Sequence, residues 1–315
     1  MHRTPARAPQ ACAPRGQRRG IALVAVLWVL ALIAILAAGF RAQTTTATRM
    51  AGAALDQSRA RALADGAVQT AIARLVEQIY LGRGDSQRTL PVDGTPVTLA
   101  LPDGRVSLAI MDTGGLIDIN AAEPPLLAGL LMRLGVPAGK AAVLAARIVD
   151  FRDLDDRPLP GGAEDPDYAA AGLPFGAKDS PFDSVDELPQ VLGISFALAA
   201  RMKPYVTVMN GLPQIDPLVA PPLVLDAVPG LTPAARRILL GLRARSDGVF
   251  RRAERPVDNP YFGASTRSSY RILATARLRD GGGFTRAAVV QIRGSGSPPY
   301  FLRRWSVALR PLSGP

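Results

Sequence analysis

Residues 21–40, IALVAVLWVLALIAILAAGF, are twenty consecutive residues without a charge. Coiled as an α-helix rising 1.5 Å per residue, they reach about 30 Å, the thickness of a bilayer's hydrocarbon core. The run therefore predicts a membrane-spanning helix over 21–40. Arg15, Arg18 and Arg19 precede it and Arg41 follows it. The more basic flank stays in the cytoplasm, which sends the bulk of the chain to the far side of the membrane.

Two ways of processing such a start are open. A secretory signal would be removed near Ala37-Ala38-Gly39 or Ala42, where small residues occur, but its apolar stretch should be shorter, about 7–15 residues. The alternative is a cut on the cytoplasmic side, between Gly20 and Ile21, which leaves the apolar helix in the mature protein. The Arg-Arg-Gly immediately before an unbroken apolar run favours this second cut.

The second cut also decides which chemistry remains. The chain has 315 residues, 48% of them hydrophobic and 5% aromatic, which suits one large domain or two smaller ones with a helical core. Of its formal charge of +11, five arginines and no acid lie in residues 1–20, leaving +6 beyond them. Cys12 and His2, the only residues of their types, lie in the same stretch. Without them a mature chain has no disulfide, no Cys/His zinc site and no histidine-based nucleophilic triad. No catalytic residues are expected, and the reading is a non-enzyme.

The leader ending in Gly20, the apolar helix behind it and the text ALVAVLWVLAL over residues 22–32 resemble the type IV pilin and pseudopilin class. Most members of that class have Glu at the fifth mature position, where it neutralises a neighbour's N-terminal amine. Counted from Ile21, that position holds Ala25. This departure is similar to the minor pseudopilin K of type II secretion systems, which is expected at the filament tip with no subunit above it. Further matches to that family run through the chain. They are Asp118-Ile119-Asn120-Ala121-Ala122, the stretch 148–156 (IVDFRDLDD), Gly162 to Tyr168, Asp186-Glu187-Leu188 and Pro204 to Val208. One turn departs: where the family has an Asn-x-Asn-Thr-Ala-like sequence, this chain reads Asp216-Pro217-Leu218-Val219-Ala220.

Beyond the membrane run, Ala64, Val68, Ile72, Leu75, Val76 and Ile79 recur at three- and four-residue spacing, with Arg59, Arg61, Arg74 and Glu77 off the stripe. This predicts an amphipathic continuation of the helix, ended by Gly82 and Gly84. Alternating apolar residues flank Asp103-Gly104 from Val97 to Met111, and flank Asp280 to Gly283 between Tyr270 and Ile292, which predicts two β-hairpins. A further edge strand is expected around Phe301–Val307.

The segment between the hairpins is helical in pattern and holds a degenerate repeat. Gly115 to Pro137 can be laid beside Gly211 to Pro233, and Leu192-Gly193-Ile194-Ser195 is a third related turn. Each predicts a helix–hairpin–helix corner. Such corners serve DNA binding when backbone N–H groups reach a phosphate. Here they read LGVPAG, LGISFA and PGLTPA, with side chains and two prolines in the way. An exported DNA-binding protein is therefore the alternative function, and nucleic acid is not an expected partner.

The expected fold class is α+β: a pilin-like fold with a long N-terminal transmembrane helix, a small antiparallel sheet and a large helical (helix–hairpin–helix, SAM-like) insertion. The expected parts are a cleaved leader at 1–20, a helix over 21–79, a sheet domain from 80–119 with 260–315, and an insertion over 120–259.

Seven of 26 carboxylates crowd into one short stretch: Asp150, Asp153, Asp155, Asp156, Glu164, Asp165 and Asp167. Like charges this close repel and need compensation. A hard cation such as Ca²⁺ would supply it, with the Pro158–Gly162 bend folding the two halves together. So would Arg147, Arg152 and Arg157 around a solvated loop. A hydrolase using paired carboxylates is the third and weakest reading, for nothing nearby suggests a substrate pocket. The pseudopilin K resemblance implies calcium in the insertion. It also implies as partners the other minor pseudopilins of a tip complex, the major pseudopilin, prepilin peptidase and inner-membrane lipid. The implied place is the bacterial inner membrane, single-pass, with the C-terminal domain in the periplasm.

Overall fold

The computed structural model describes residues 19–81, 90–245, 257–266, 268–293 and 297–308. Residues 1–18, Gly82, Gly84 and the last seven residues lie outside them. Two compact units divide between Leu55 and Asp56.

In the first unit the described chain is helical. It belongs to α1 (Arg19–Leu81), which runs without a break over 63 residues. The stretch Leu23–Arg41 is long and apolar enough to cross a membrane, and none of it is buried within the protein. Leu23, Leu27, Trp28, Leu30 and Phe40 all stand open. Water would make such a surface costly, whereas lipid or other apolar helices would not.

The second unit starts from the remaining length of α1. Ala60, Ala64, Val68, Ala71, Ile72 and Leu75 form its buried stripe. The alanines allow close approach, and Val68, Ile72 and Leu75 each gain about 1.5–3 kcal/mol from burial. They pack on one face of a five-stranded antiparallel sheet of order β1-β2-β5-β6-β7. Its strands are β1 (Val97–Leu101), β2 (Gly104–Asp112), β5 (Ser269–Leu278), β6 (Gly283–Ile292) and β7 (Tyr300–Val307). Alternation puts Val106, Leu108, Ile110, Ile272, Ala274, Ala276, Ala288 and Val290 under α1. The Asp103-Gly104 turn sets the β1–β2 register, and Asp280 to Gly282 sets β5–β6. β2 pairs with β5 along its whole length, so two segments far apart in sequence close one sheet.

Arg286 interrupts the apolar pattern of β6 under α1. It is 3% exposed and binds Asp65 of α1, with Nε donating to Oδ1 at 2.5 Å and Nη2 to Oδ2 at 3.2 Å. The Phe284 and Trp305 rings flank the guanidinium at 4.9 and 4.8 Å. The ion pair and the two rings together satisfy a cation that burial would otherwise disfavour.

Between β2 and β5 lies a helical segment with its own core. Its elements are β3 (Ile117–Asp118), α2 (Pro124–Arg133), α3 (Ala138–Asp150), α4 (Asp165–Ala170), a 3₁₀ turn (Val185–Gln190), α5 (Phe196–Met202), β4 (Val206–Thr207), α6 (Pro222–Ala227) and α7 (Pro233–Arg245). Leu126, Leu127, Leu130, Leu131, Ile148 and Phe151 are among the residues that fill the core. Three corners turn at Gly135, Gly193 and Gly230, with φ of 80°, 90° and 74°. This left-handed backbone is cheap only for glycine. The middle corner joins a 3₁₀ turn to α5 rather than two α-helices.

The repeat read in the sequence is a repeat of hydrogen bonds. Asp118 accepts the N–H of Asn120 at 2.8 Å, and Asp216 accepts that of Leu218 at 3.0 Å. The second oxygen of Asp118 takes N–H groups from Asn210 and Gly211; that of Asp216 takes one from Ser265. Arg152 then donates to the carbonyls of Ile119 and Ala122, and Arg243 to those of Pro217 and Ala220. Ile117 pairs in parallel with Val206, as Ile215 does with Phe262. The departure at 216–220 is therefore accommodated. One aspartate and one arginine close the turn through backbone groups of the residues after Asp216, while the Leu218 side chain packs into the core.

Candidate functional site

The acidic stretch begins where α3 runs out. Asp150, the last residue of α3, is fully buried and accepts N–H groups from Leu159 and Ala163, the latter at 2.8 Å. This brings the 158–163 bend back onto the helix end. Gly162 is required there, since a Cβ at that position would run into the Asp150 carboxylate. Glu164 then precedes α4, with its N–H donated to Asp167 at 3.0 Å. Asp165 accepts the Ala177 N–H at 2.9 Å, tying in the returning strand of loop.

The seven sequence-predicted carboxylates thus divide. Asp150, Asp153 and Glu164 are turned inward, and Asp150 and Glu164 are buried. Asp155, Asp156, Asp165 and Asp167 are exposed, and Asp155, Asp165 and Asp167 hold backbone N–H groups of the loop. The arginines supply little of the compensation: Arg152 pulls Asp153 down, but against the larger opposing effects of burial, Asp150 and Asp155. Arg147 donates to the Leu192 carbonyl and Arg152 to those of Ile119 and Ala122. None of the ion pairs among the described residues includes any of the seven acids.

What remains are buried oxygens without donors: Asp153 Oδ1, Glu164 Oε1 and Asp179 Oδ1. Asp179 is the residue that sequence reasoning missed. It stands alone beyond the cluster, with a neighbour, Lys178, that is already bound to Asp183 and Glu187 at 2.7 Å each. Nothing local marked it. Its backbone is left-handed at φ 52°, a conformation that aspartate tolerates better than most residues but that still stores strain.

Electrostatics follow from this crowding. Burial, then the charges of Asp150, Asp153 and Asp179, push Glu164 up to about 7. Asp153 is raised by burial and by Asp150 and Asp155. Asp179 is raised by burial and by Asp165 and Asp156. Asp150 is raised by burial against the pull of its two N–H donors. Such a group suits a hard divalent cation, since ionised carboxylates only accept and three inward oxygens lack donors. Among the described residues, no three His, Cys, Asp or Glu side chains are already drawn close enough to hold an ion.

Gly20 and Ile21 fall in the first turn of α1, and their side chains lie outside the described residues. The three corner hairpins put Pro137 and Pro233 at the starts of α3 and α7, where an N–H would otherwise point outward.

Comparison with known proteins gives consistent matches. Residues 107–211 fit the family profile described as type II secretion system (T2SS), protein K. The type II secretion system protein K of Pectobacterium carotovorum subsp. carotovorum is 30% identical over 207 residues, 61% of this chain and 63% of that protein. The Klebsiella pneumoniae protein of the same name is 31% identical over 205 residues, 60% and 62% of the two chains. This chain therefore spans less than two thirds of the length of these two relatives. A putative type II secretion system protein K of Escherichia coli (strain K12) is 30% identical over 257 residues, 73% of this chain and 76% of that one. Among solved structures, the GspK-GspI-GspJ complex of the enterotoxigenic Escherichia coli type 2 secretion system contains a chain with TM-score 0.49 and 17% identity. That alignment covers 80% of this chain and 99% of the other. The profile match falls on β2, the first duplicated unit and the acidic loop, and with the 30% identity to a relative covered over 76% of its length the chain belongs to the type II secretion system protein K family.

Proposed function

We propose that this chain is a minor pseudopilin: a non-enzymatic subunit anchored once in the inner membrane, with its C-terminal domain in the periplasm. It joins other minor pseudopilins at the tip of the pseudopilus and helps to initiate or cap the filament, so that folded proteins are exported across the outer membrane. The observation that carries this reading is the open apolar run of α1, Leu23–Arg41. An apolar helix with no partner inside its own protein suits lipid first and the major pseudopilin's helices later, because both surroundings are apolar. Ala25 in place of a carboxylate suits a subunit with none above it. Maturation follows, with prepilin peptidase cutting between Gly20 and Ile21 and methylation of the new N-terminus.

In this reading the insertion holds Ca²⁺. Asp150, Asp153, Glu164 and Asp179 are the residues that would bind it, with the exposed acids Asp155, Asp156, Asp165 and Asp167 shaping the loop. The ion would supply positive charge to the Asp153, Glu164 and Asp179 oxygens that no protein donor reaches, whereas the Asp150 carboxylate already holds the Leu159 and Ala163 N–H groups. DNA binding is the poorer fit, because Pro137 and Pro233 remove N–H groups at two of the three corners.

The test is the N-terminal sequence and mass of the protein from membranes of cells with and without prepilin peptidase. A start at Ile21 only when the peptidase is present is expected. A start near Gln43 in both strains would sink the filament reading and leave an ordinary exported protein.

A further inference from the structure

The face of the sheet turned away from α1 meets the helical segment across a cleft of about 540 Å³. Because Ile272, Ala274, Ala288 and Val290 point at α1, the alternate residues Arg271, Leu273, Ala287 and Val289 point into the cleft. Val208 and Met209 line the opposite wall. The floor is thus apolar and follows two strands, and β7 beside it is the edge of the sheet.

The charges on the cleft walls do not balance. Four cations line it, Lys203, Arg271, Arg303 and Arg304, against Asp183 and Asp186. Both acids are already engaged: Asp186 holds Lys203 and Arg304, and Asp183 holds Lys178. Arg303 donates to the Gln291 amide oxygen. Arg271 is half-buried, and its hydrogen bonds go to the backbone carbonyls of Lys203, Pro204 and Val206 at 2.9–3.3 Å. Carbonyl oxygens satisfy its N–H groups but do not neutralise its charge, and the ionic neighbour that acts on it is another cation, Arg304. Among the described residues, Arg271 and Arg303 have no carboxylate partner. A half-buried cation fixed in a wall beside an apolar floor favours a ligand that brings a carboxylate and apolar groups together. A second copy of this chain suits it poorly, being net basic itself.

We propose that this cleft docks an extended acidic segment of a partner polypeptide. Its carboxylates meet Arg271 and Arg303, its apolar side chains lie on Leu273, Val289 and Met209, and its backbone runs beside β7. The site is independent of the calcium loop and of the filament role, so its failure would leave both standing.

The experiment is fluorescence anisotropy on the full chain in detergent with a labelled octapeptide of alternating Val and Glu. Val/Gln and Val/Lys octapeptides serve as controls, and amide hydrogen exchange locates the bound peptide. Binding of the Val/Glu peptide alone is expected, with slower exchange at 206–209, 287–289 and 300–304. Arg303→Gln should weaken it about tenfold or more, and Arg271→Gln further. Arg303 lies at the surface end of the cleft, so its variant decides the matter even if Arg271→Gln does not fold. No binding, equal binding of the Val/Gln peptide, unchanged affinity in R303Q, or protection elsewhere would each overturn the proposal.

Discussion

Replacing Asp65 with Asn tests how the sheet tolerates a charged residue on its α1 face. Arg286 is 3% exposed, and the Asp65 side chain is 30% exposed. Breaking a fully buried ion pair by removing one partner costs about 3–5 kcal/mol, because the other charge stays buried and unpaired. Solvent reaches Asp65, which screens part of this, and the Phe284 and Trp305 rings still face the cation, each contributing on the order of 1 kcal/mol. The expected loss is about 2–3 kcal/mol. For a unit of this size that lowers Tm by roughly 5–10 °C. Arg286→Met removes the stranded charge instead, leaving a carboxylate that water can reach. Its cost should be nearer 1 kcal/mol, and the double variant should match it. Asp65 also lies 3.7 Å from Arg61 on the exposed side, so Arg61→Ala is the control and should cost under about 0.5 kcal/mol. Urea unfolding of the detergent-solubilised chain, followed by tryptophan fluorescence, measures all four. If D65N costs less than R286M, or no more than R61A, the reasoning about a stranded buried cation is wrong.

Other expectations are briefer. Ca²⁺ should raise the Tm of the wild type by several degrees and leave a D153A/E164Q variant unmoved; equal shifts in both would remove calcium from this loop. Without calcium, stability should fall as pH rises through about 7. The folded pKa of Glu164 lies above its unfolded value of about 4.5, so the folded state is the one that must give up a favoured proton; saturating Ca²⁺ should flatten this slope. Asp186 works the other way. Its hydrogen bond from Lys203 and the nearby Arg304 hold it down at about 2, so its contribution is present above about pH 4 and lost as pH falls towards 2. Asp186→Asn should shrink that acid-side loss, as read from the acid-unfolding midpoint. Gly129→Ala and Gly241→Ala should have opposite signs although both lie in helices. Ala is intrinsically favoured by about 1 kcal/mol, and at Gly241 nothing lies within 4 Å of the new Cβ. At Gly129 it would collide with the Ala227 carbonyl of α6, so a net loss of about 1–3 kcal/mol is expected in urea melts.

The local elements of this protein were legible in its sequence. An uncharged run at 21–40 leaves few options, since its polar backbone bonds must close within a helix. Period-two alternation around Asp103-Gly104 and Asp280–Gly283 marks hairpins whose turns set their own register. Glycines at 135, 193 and 230 mark corners because no other residue takes positive φ so cheaply. All of these signals act over a few residues, where backbone sterics and apolar periodicity decide. The tertiary structure alone decided which distant surfaces meet. It paired β2 with β5, set Arg286 against Asp65, and let Asp216 and Arg243 rebuild a turn whose local sequence had diverged. It brought Asp179 toward Glu164 and left the nearby arginines on backbone carbonyls rather than on the acids. Those pairings rest on Coulomb and hydrogen-bond energies between groups far apart in the chain, whose distance from one another exists only once both cores have packed.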